Sequence, residues 1–140
     1  AKKLLCGDAD PLVCGYIAAV FSILGHMFPI YFKFRGGKGV ATALGVTTAL
    51  AWQTFPIVMI PFVIIVAVSK MISLGSIISA VILPIATYFV YYFWYPECSP
   101  VVPTVATAVI ALLIIFMHRT NIKRMVRGEE NKLGAKKSDE

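Results

Sequence analysis

Negative charge is scarce in this sequence, and one long stretch has none. The 140 residues include 7 Asp or Glu against 13 Lys or Arg, and no acidic residue lies between Asp10 and Glu97. Hydrophobic residues make up 59% of the chain and charged residues 14%, so a water-soluble domain would lack the polar residues needed to cover its surface. The same composition excludes a disordered tail. These absences predict a membrane protein with several spans.

Cysteine and histidine are also few, which limits cross-links and metal sites. Cys6, Cys14 and Cys98 are odd in number and form no C-x-x-C pair, so neither a disulfide framework nor a zinc site is indicated. The 2 His residues have no neighbouring carboxylates to complete a metal site. The sequence therefore predicts no metal and no other cofactor. A cation-coupled transporter is also disfavoured, because it normally needs a carboxylate within the membrane.

The apolar stretches predict an all-α, polytopic membrane bundle with about five crossings, some of them short or broken. A full crossing needs about 20 apolar residues. We expect residues 1–140 to form a single integral membrane domain. The predicted spans are residues 11–25, residues 39–70 divided by a turn at Gln53–Pro56, residues 73–95 with a kink at Pro84, and a last span from Pro103 to Phe116.

The basic residues predict how these spans are oriented. Eleven of the 13 Lys and Arg residues fall on one side of the predicted spans, and the other side carries only Lys2 and Lys3. The positive-inside rule places the basic loops and the C-terminus in the cytoplasm. An aromatic belt is predicted at the opposite interface, formed by Tyr88, Tyr91, Tyr92, Trp94 and Tyr95.

A glycine-rich basic loop is the first candidate for chemistry. Gly36, Gly37 and Gly39 surround Lys38 directly before a predicted helix. Residues without Cβ let backbone N–H groups approach a phosphate, while the helix N-terminus and the lysine add positive charge. The loop is not a Walker A motif, because Lys38 is followed by Gly39 rather than Ser or Thr. A basic turn that only sets topology is the alternative, and the flanking His26 and Thr42 favour a site.

Polar residues at the end of the last span form the second candidate. If the helix continues without a break, His118, Asn121 and Arg124 lie on one broad face. Polar groups at a membrane border are costly unless they are used. Another face carries Arg119, Lys123 and Arg127, which would reach lipid headgroups. A third and weaker candidate is the segment of Lys70, Ser73 and Ser76, since small residues also serve helix packing.

Two of these motifs resemble those of a known family. The segment GHMFPIYFKFRGGKGVAT, Gly25–Thr42, closely resembles the second signature of the bacterial membrane glycerol-3-phosphate acyltransferases of the PlsY type. The segment HRTNIKRMVRGEENK, His118–Lys132, resembles the third, and Ser73–Ser76 falls where the family has a serine-bearing loop. The family has a further N-terminal part, with about two more spans and a Ser-Gly-Asn…Gly-Ala-Thr-Asn loop, that nothing here matches. We expect that this chain lacks that part or is a fragment.

The resemblance implies a reaction and a set of partners. A fatty acyl group would pass from acyl phosphate to the 1-hydroxyl of sn-glycerol 3-phosphate, giving lysophosphatidate and phosphate at the bacterial inner membrane. The partners would be these two substrates and membrane lipid, with no nucleic acid. The alternatives are an anion or phosphate-ester transporter and a non-catalytic subunit that binds anionic lipid.

The resemblance also assigns roles to residues. His118 and Asn121 would orient the reacting hydroxyl or polarise the carbonyl, and the proton would go either to His118 or to a departing phosphate oxygen. His26, Lys70, Arg124 and Glu130 would support the site. The phosphate-binding residues would be Arg35, Gly36, Gly37, Lys38, Gly39, Thr42, Ser73 and Ser76.

Overall fold

The computed structural model describes residues 10–32 and 36–134, and all regular structure within them is helical. The all-α prediction is therefore confirmed. A short 3₁₀ turn, Ile30–Phe32, follows the first helix. The α-helices are α1 (Pro11–Met27), α2 (Val40–Leu50), α3 (Thr54–Ser69), α4 (Ile72–Trp94), α5 (Val101–Met117) and α6 (Arg119–Val126).

Helix α1 begins where the sequence predicts. The Asp10 side chain accepts a hydrogen bond from the Leu12 backbone N–H at 2.9 Å, and Pro11 occupies the first helical position, where no intrahelical donor is needed. The predicted break in the stretch 39–70 is also present, but it lies at residues 51–53 rather than at Gln53–Pro56. Pro56 is compatible with helix there because the first turn leaves its N–H groups unpaired anyway.

Helix length supports part of the predicted membrane topology. In the described part of the chain, α4 is the one helix that is by itself long and apolar enough to cross a membrane, with 23 residues. Helices α5 and α6 meet the criterion together, but they bend by 57° at a break between them. Helices α1, α2 and α3 have 17, 11 and 16 residues and are shorter than a full span. The number of crossings stays a prediction.

Helix α4 lies at the centre of the bundle, between α3 and α5, and α1 packs on α2 and α5. Small residues on α4 allow close approach, because a Cβ at Gly75 would lie 2.7 Å from Val66 Cγ2 and 3.1 Å from Phe62 Cδ2. The main core joins all of α1 to α5 and contains Ile23, Met27, Ala43, Val58, Ala80, Leu83, Ala86, Ile110, Ala111 and Ile114.

A second, smaller core closes the end of the bundle where α4 finishes. Tyr16 and Tyr91 are buried there, and the Tyr16 hydroxyl donates to the Tyr91 hydroxyl at 3.3 Å. The prediction that Tyr91 belongs to the aromatic belt is therefore wrong, since its side chain is buried and its hydroxyl has a protein partner in α1. Tyr88, Tyr92 and Trp94 are exposed, as a belt requires.

Candidate active site

Four chain segments meet at the other end of the bundle and share one hydrogen-bond network. Lys38 Nζ donates to Asn121 Oδ1 at 2.7 Å, which joins the loop before α2 to α6. Asn121 Nδ2 donates to Ser73 Oγ and to Glu130 Oε1, each at 2.7 Å. Ser73 Oγ donates to the same Glu130 oxygen at 2.7 Å. We call Lys38, Ser73, Asn121 and Glu130 the polar cluster.

The break between α5 and α6 brings His118 beside this cluster. The condition of an unbroken helix through His118 does not hold, because α5 ends at Met117 and α6 begins at Arg119. The His118 backbone N–H donates to the carbonyls of Ile114 and Ile115 at 3.1 and 3.0 Å, which ends α5 in a tightened last turn. The bend turns α6 across the end of the bundle, so that Asn121 reaches Ser73. His118 stays at the junction between α5 and α6.

The His118 ring is buried and its tautomer follows from its partner. The side chain is 2% exposed, and Nδ1 lies 2.8 Å from the Ile114 carbonyl oxygen. Because a carbonyl oxygen can only accept, Nδ1 carries the proton in this bond and the neutral ring keeps a lone pair on Nε2. Nε2 is thus the nitrogen available to a substrate, and it suits a hydrogen-bond acceptor or a base.

Glu130 is the charged centre of the polar cluster. Its side chain is 5% exposed. Burial alone would raise the pKa of this carboxyl, but hydrogen bonds from Asn121 and Ser73 and the positive charges of Arg124 and Lys38 outweigh it and hold the pKa below its usual range. Arg124 Nε lies 3.3 Å from Glu130 Oε2, as an ionic contact rather than a directed hydrogen bond. With Arg124 43% exposed, solvent weakens that pair.

The glycine loop packs tightly against the end of α1. A Cβ at Gly36 would collide with the backbone carbonyls of His26 and Met27, and one at Gly37 would collide with the His26 ring. Gly39, the residue that precedes α2 as its N-cap, has a φ of 75°, a left-handed conformation that favours glycine. These contacts alone explain why the loop needs glycine, and the Gly37 N–H donates to the His26 carbonyl at 3.3 Å. Phosphate binding by the loop stays a prediction.

A cavity of about 380 Å³ opens beside the polar cluster and runs between α2, α3, α4 and α5. Lys38, Ser73 and His118 stand at its polar end. Thr47 and Ser76 also line it, but their hydroxyls donate to the Ala43 and Ile72 carbonyls of their own helices, so the wall is mostly hydrocarbon. The apolar lining is formed by Val40, Ala41, Ala43, Leu44, Val58, Met59, Phe62, Ile72, Ala80, Leu83 and Ile114.

The other predicted site residues lie at varying distance from this centre. Ser73 joins both the cluster and the cavity, whereas Thr42, on α2, is not among the residues that line the cavity in the described part of the chain. Lys70 lies at the same end with its side chain exposed. Its φ of 58° is unusual for a residue with a side chain, and its carbonyl accepts the Leu133 N–H at 2.7 Å. Arg35 lies outside the described residues.

No local pattern in the sequence indicates how these groups are connected. Lys38 and Asn121 are 83 residues apart, and Ser73 and Glu130 are 57 apart, so no local spacing could pair them. The contact of the C-terminal segment with Lys70 was also missed. The signal available in the sequence was the pair Glu129 and Glu130 within a segment otherwise rich in basic residues.

Comparison with known proteins gives a consistent picture. Residues 3–128 match the family model described as glycerol-3-phosphate acyltransferase. The glycerol-3-phosphate acyltransferase of Shouchella clausii is 40% identical, over 97% of this chain and 64% of that protein. The enzyme of the same name from Actinobacillus succinogenes is 36% identical, over 92% of this chain and 65% of that protein. This chain therefore spans slightly less than two thirds of the length of these relatives.

Solved structures agree with the sequence comparison. The fold is similar to that of PlsY (YgiH), described as an integral membrane glycerol 3-phosphate acyltransferase, in its glycerol 3-phosphate form. The TM-score is 0.70 at 32% identity, covering 89% of this chain and 64% of that one. The lysophosphatidic acid form of the same protein gives a TM-score of 0.68 at 31% identity.

Proposed function

Since this chain belongs to the glycerol-3-phosphate acyltransferase family, we propose that its protein transfers a fatty acyl group from acyl phosphate to the 1-hydroxyl of sn-glycerol 3-phosphate. The products are lysophosphatidate and inorganic phosphate. The protein is a multi-pass protein of the bacterial cytoplasmic membrane, with residues 1–140 in one domain and the basic loops and C-terminus in the cytoplasm. The relatives' names and the PlsY likeness support this assignment.

The observation that carries the proposal is an apolar cavity that ends in a charged cluster. Acyl phosphate combines a long hydrocarbon tail with a phosphorylated head. The cavity follows α4 from Ile72 to Leu83, eleven residue steps or about 16 Å of helix, and its lining is mostly hydrocarbon, which suits the tail. Lys38 and His118 at the polar end suit the head. One compartment therefore matches both halves of the donor.

The reaction at this site is a direct acyl transfer. The 1-hydroxyl oxygen of glycerol 3-phosphate attacks the donor carbonyl carbon, a new ester bond forms, and the bond to the phosphate oxygen breaks with its electron pair going to phosphate. The hydroxyl proton goes to His118 Nε2 or to an oxygen of the departing phosphate. Holding both substrates at one polar end supplies much of the rate, because orientation removes an entropic cost.

The polar cluster gives Lys38 its position. The Asn121 amide accepts from Lys38 and donates to Ser73 and Glu130, so both of its ends are used inside the protein. Asn121 therefore acts as a positioning residue for the ammonium group, and any direct contact with substrate stays a prediction. The Lys38 ammonium then stabilises the negative charge on the phosphate of glycerol 3-phosphate.

Glycerol 3-phosphate binds at the start of α2 in this proposal. The first N–H groups of a helix are unpaired and carry partial positive charge, and α2 begins beside Lys38 with no side-chain cap. Arg35, Gly36, Gly37, Gly39 and Thr42 complete the phosphate site, with Ser73 and Ser76 on the opposite wall. His26, Lys70 and Arg124 support it. No step requires a cofactor.

The test uses the full-length protein, reconstituted in vesicles. Acyl phosphate and glycerol 3-phosphate should give lysophosphatidate and phosphate in equal amounts. Lys38→Met should raise the KM for glycerol 3-phosphate at least tenfold and more than the KM for the acyl donor, while His118→Ala should lower kcat by roughly 10²-fold. Lys132→Met removes an exposed charge at the same end and is the matched control.

Two outcomes would contradict the proposal. Uptake of labelled glycerol 3-phosphate into the vesicles without any lysophosphatidate would indicate the transporter. Equal effects of Lys38→Met and Lys132→Met would remove Lys38 from the site.

A further inference from the structure

We propose that α6 lies at the membrane surface and binds anionic phospholipid headgroups through a basic face. Arg119, Lys123 and Arg127 follow one another at intervals of four residues, and all three are exposed. At 100° per residue they fall within about 80° of one another around the helix axis. The 57° bend turns this helix away from the direction of α5, as expected for a helix that leaves a span to run along an interface.

The face opposite this basic face holds the site. Asn121 is 4% exposed, and its side chain points about 160° away from that of Lys123. Asn121 is bonded to Lys38, Ser73 and Glu130. The helix thus has one side fixed inside the protein and the other turned outward.

The outward side has the mixed character of a surface that touches lipid. Val126 is 84% exposed and lies next to the basic residues around the helix. The Arg119 guanidinium lies 4.6 Å over the ring of Phe116, itself 55% exposed, and donates to the Phe116 carbonyl at 3.2 Å. An apolar residue beside basic ones is typical of helices at the boundary of headgroups and acyl chains.

The charges on this face are not neutralised within the described residues. Among those residues, the ion pair between a carboxylate and a basic side chain joins Glu130 to Arg124, which is not one of the three residues of the basic face. The three basic residues span eight residue steps, or about 12 Å along the helix, which is too wide for one phosphate ion. A row of headgroups fits this spacing, because anionic lipids attract each nearby Lys or Arg. The geometry therefore favours a lipid surface over free phosphate.

Lipid binding on one face would hold Asn121 on the other. A bound lipid surface restricts the motion of the short α6, and Asn121 moves with that helix. The consequence for catalysis rests on the proposed function, but lipid binding itself does not. Measurements of binding and of local order therefore remain decisive if the protein has no acyltransferase activity.

The first test measures lipid retention by the purified full-length protein. The protein is taken from vesicles of phosphatidylcholine with or without phosphatidylglycerol, and the lipid that remains after detergent exchange is quantified. The variant with Arg119→Gln, Lys123→Gln and Arg127→Gln should retain at least tenfold less phosphatidylglycerol, since each charge contributes about a fivefold effect near the surface. The charge-preserving variant with Arg119→Lys, Lys123→Arg and Arg127→Lys should retain it. Lys132→Gln removes an exposed charge outside the face and should change retention much less.

The second test measures backbone order in α6. Hydrogen exchange of residues 119–126 should slow when phosphatidylglycerol is added to the vesicles, and high salt should reverse this effect. The triple Gln variant should show no such slowing. If that variant fails to fold, Lys123→Gln compared with Lys123→Arg gives the same contrast with a smaller effect.

Three results would overturn the proposal. They are unchanged phosphatidylglycerol retention in the charge-removed variants, equal slowing of exchange in both kinds of vesicle, and displacement of the lipid by inorganic phosphate beyond that caused by chloride at matched ionic strength. The last result would indicate a phosphate site in place of a lipid surface.

Discussion

Glu130 lies at the base of the polar cluster, and its partners come from α4, α6 and the loop before α2. Ser73 and Asn121 both donate to one of its oxygens at 2.7 Å, while Arg124 approaches the other. The Lys38 ammonium adds positive charge nearby. A buried carboxylate is costly unless it is hydrogen-bonded or paired, and here both oxygens have partners. The cluster therefore depends on the ionised form of this one residue.

Loss of the Glu130 charge should destabilise the protein and change its pH dependence. The folded-state pKa of Glu130 lies below its unfolded value, so the carboxylate stabilises the fold above that unfolded value, about pH 4.3, and the contribution is lost as pH falls through the folded-state pKa. Glu130→Gln should cost about 1.5–3 kcal/mol at neutral pH, the usual value of hydrogen bonds to a charged group. Thermal unfolding in detergent between pH 3 and pH 7 would measure this.

The neighbouring carboxylate supplies the control. Glu129 is exposed, so Glu129→Gln should change stability by about 0.5 kcal/mol or less at every pH. A Glu130→Gln variant that unfolds with the pH dependence of the parent protein would show that Glu130 does not carry the acid sensitivity.

At this same scale, the sequence singled out residues that the structure brings together, but it did not indicate the bonds between them. Lys38, Ser73, His118 and Asn121 could be named because lysine in a glycine loop and polar residues at a span end are unusual in a membrane protein. Their pairing depends on how the helices pack, and no local pattern encodes that. The loop conformation and the contacts with His26 explain the glycines without a ligand, so phosphate binding by these residues stays a prediction.

At the scale of helices, composition predicted α1 and α4 to within one or two residues at their ends. These ends coincide with Asp10–Pro11 and with the aromatic residues before Pro96, which are strong local signals. The break at His118 was not predicted, because no Pro or Gly marks it. The break lies where the apolar helix α5 meets the strongly polar segment of α6. The apolar part packs in the bundle, and the polar part lies at its end.

Close packing of α3 on α4 gives a test of a single glycine. A methyl group at Gly75 would press on Val66 and Phe62, so Gly75→Ala should lower stability by about 1–3 kcal/mol, the usual cost of overpacking. A Cβ at Gly45 on α2 would meet open space among the described residues, and Gly45→Ala should raise stability by about 0.5–1 kcal/mol through helix propensity. Thermal unfolding of both variants measures this difference.

The comparison is informative because the two substitutions are expected to change stability in opposite directions. If both variants gained stability, the α3–α4 contact would be looser than the structure shows. Phe62 also lines the cavity, so its displacement would change the cavity wall as well as the helix contact.

At the scale of the whole molecule, the bundle has two different ends. The polar cluster, His118 and the cavity mouth lie at one end, and the buried tyrosines lie at the other, where Tyr95 also donates to Gln53 at 3.1 Å. Hydrocarbon packing from α1 to α5 separates them. The polar cluster and the cavity mouth therefore lie at the same end of the bundle as the basic residues of α6 and the loop before α2.

This separation predicts that no cysteine takes part in catalysis. Cys98 lies in the loop before α5, whose 17 residues rise about 25 Å before His118, and it packs with the buried tyrosines. Cys14 lies in the first turn of α1, 13 residue steps or about 20 Å from Met27, the residue beside the glycine loop. Cys6 lies outside the described residues. Acyl phosphate is an activated donor, so a thioester intermediate is not required.

Replacement of Cys6, Cys14 and Cys98 together by Ser should therefore leave most of the acyltransferase activity of the complete protein, with KM values for both substrates near those of the parent. A nucleophilic thiol must reach the donor carbonyl, and the lysine and histidine of the site stand at the far end of the bundle from Cys98. The assay is steady-state kinetics in vesicles, with membrane insertion measured in parallel. An inserted but inactive triple variant, or an acyl group trapped on the parent protein as a hydroxylamine-sensitive thioester, would contradict direct transfer and show that the two ends of the bundle are not functionally separate.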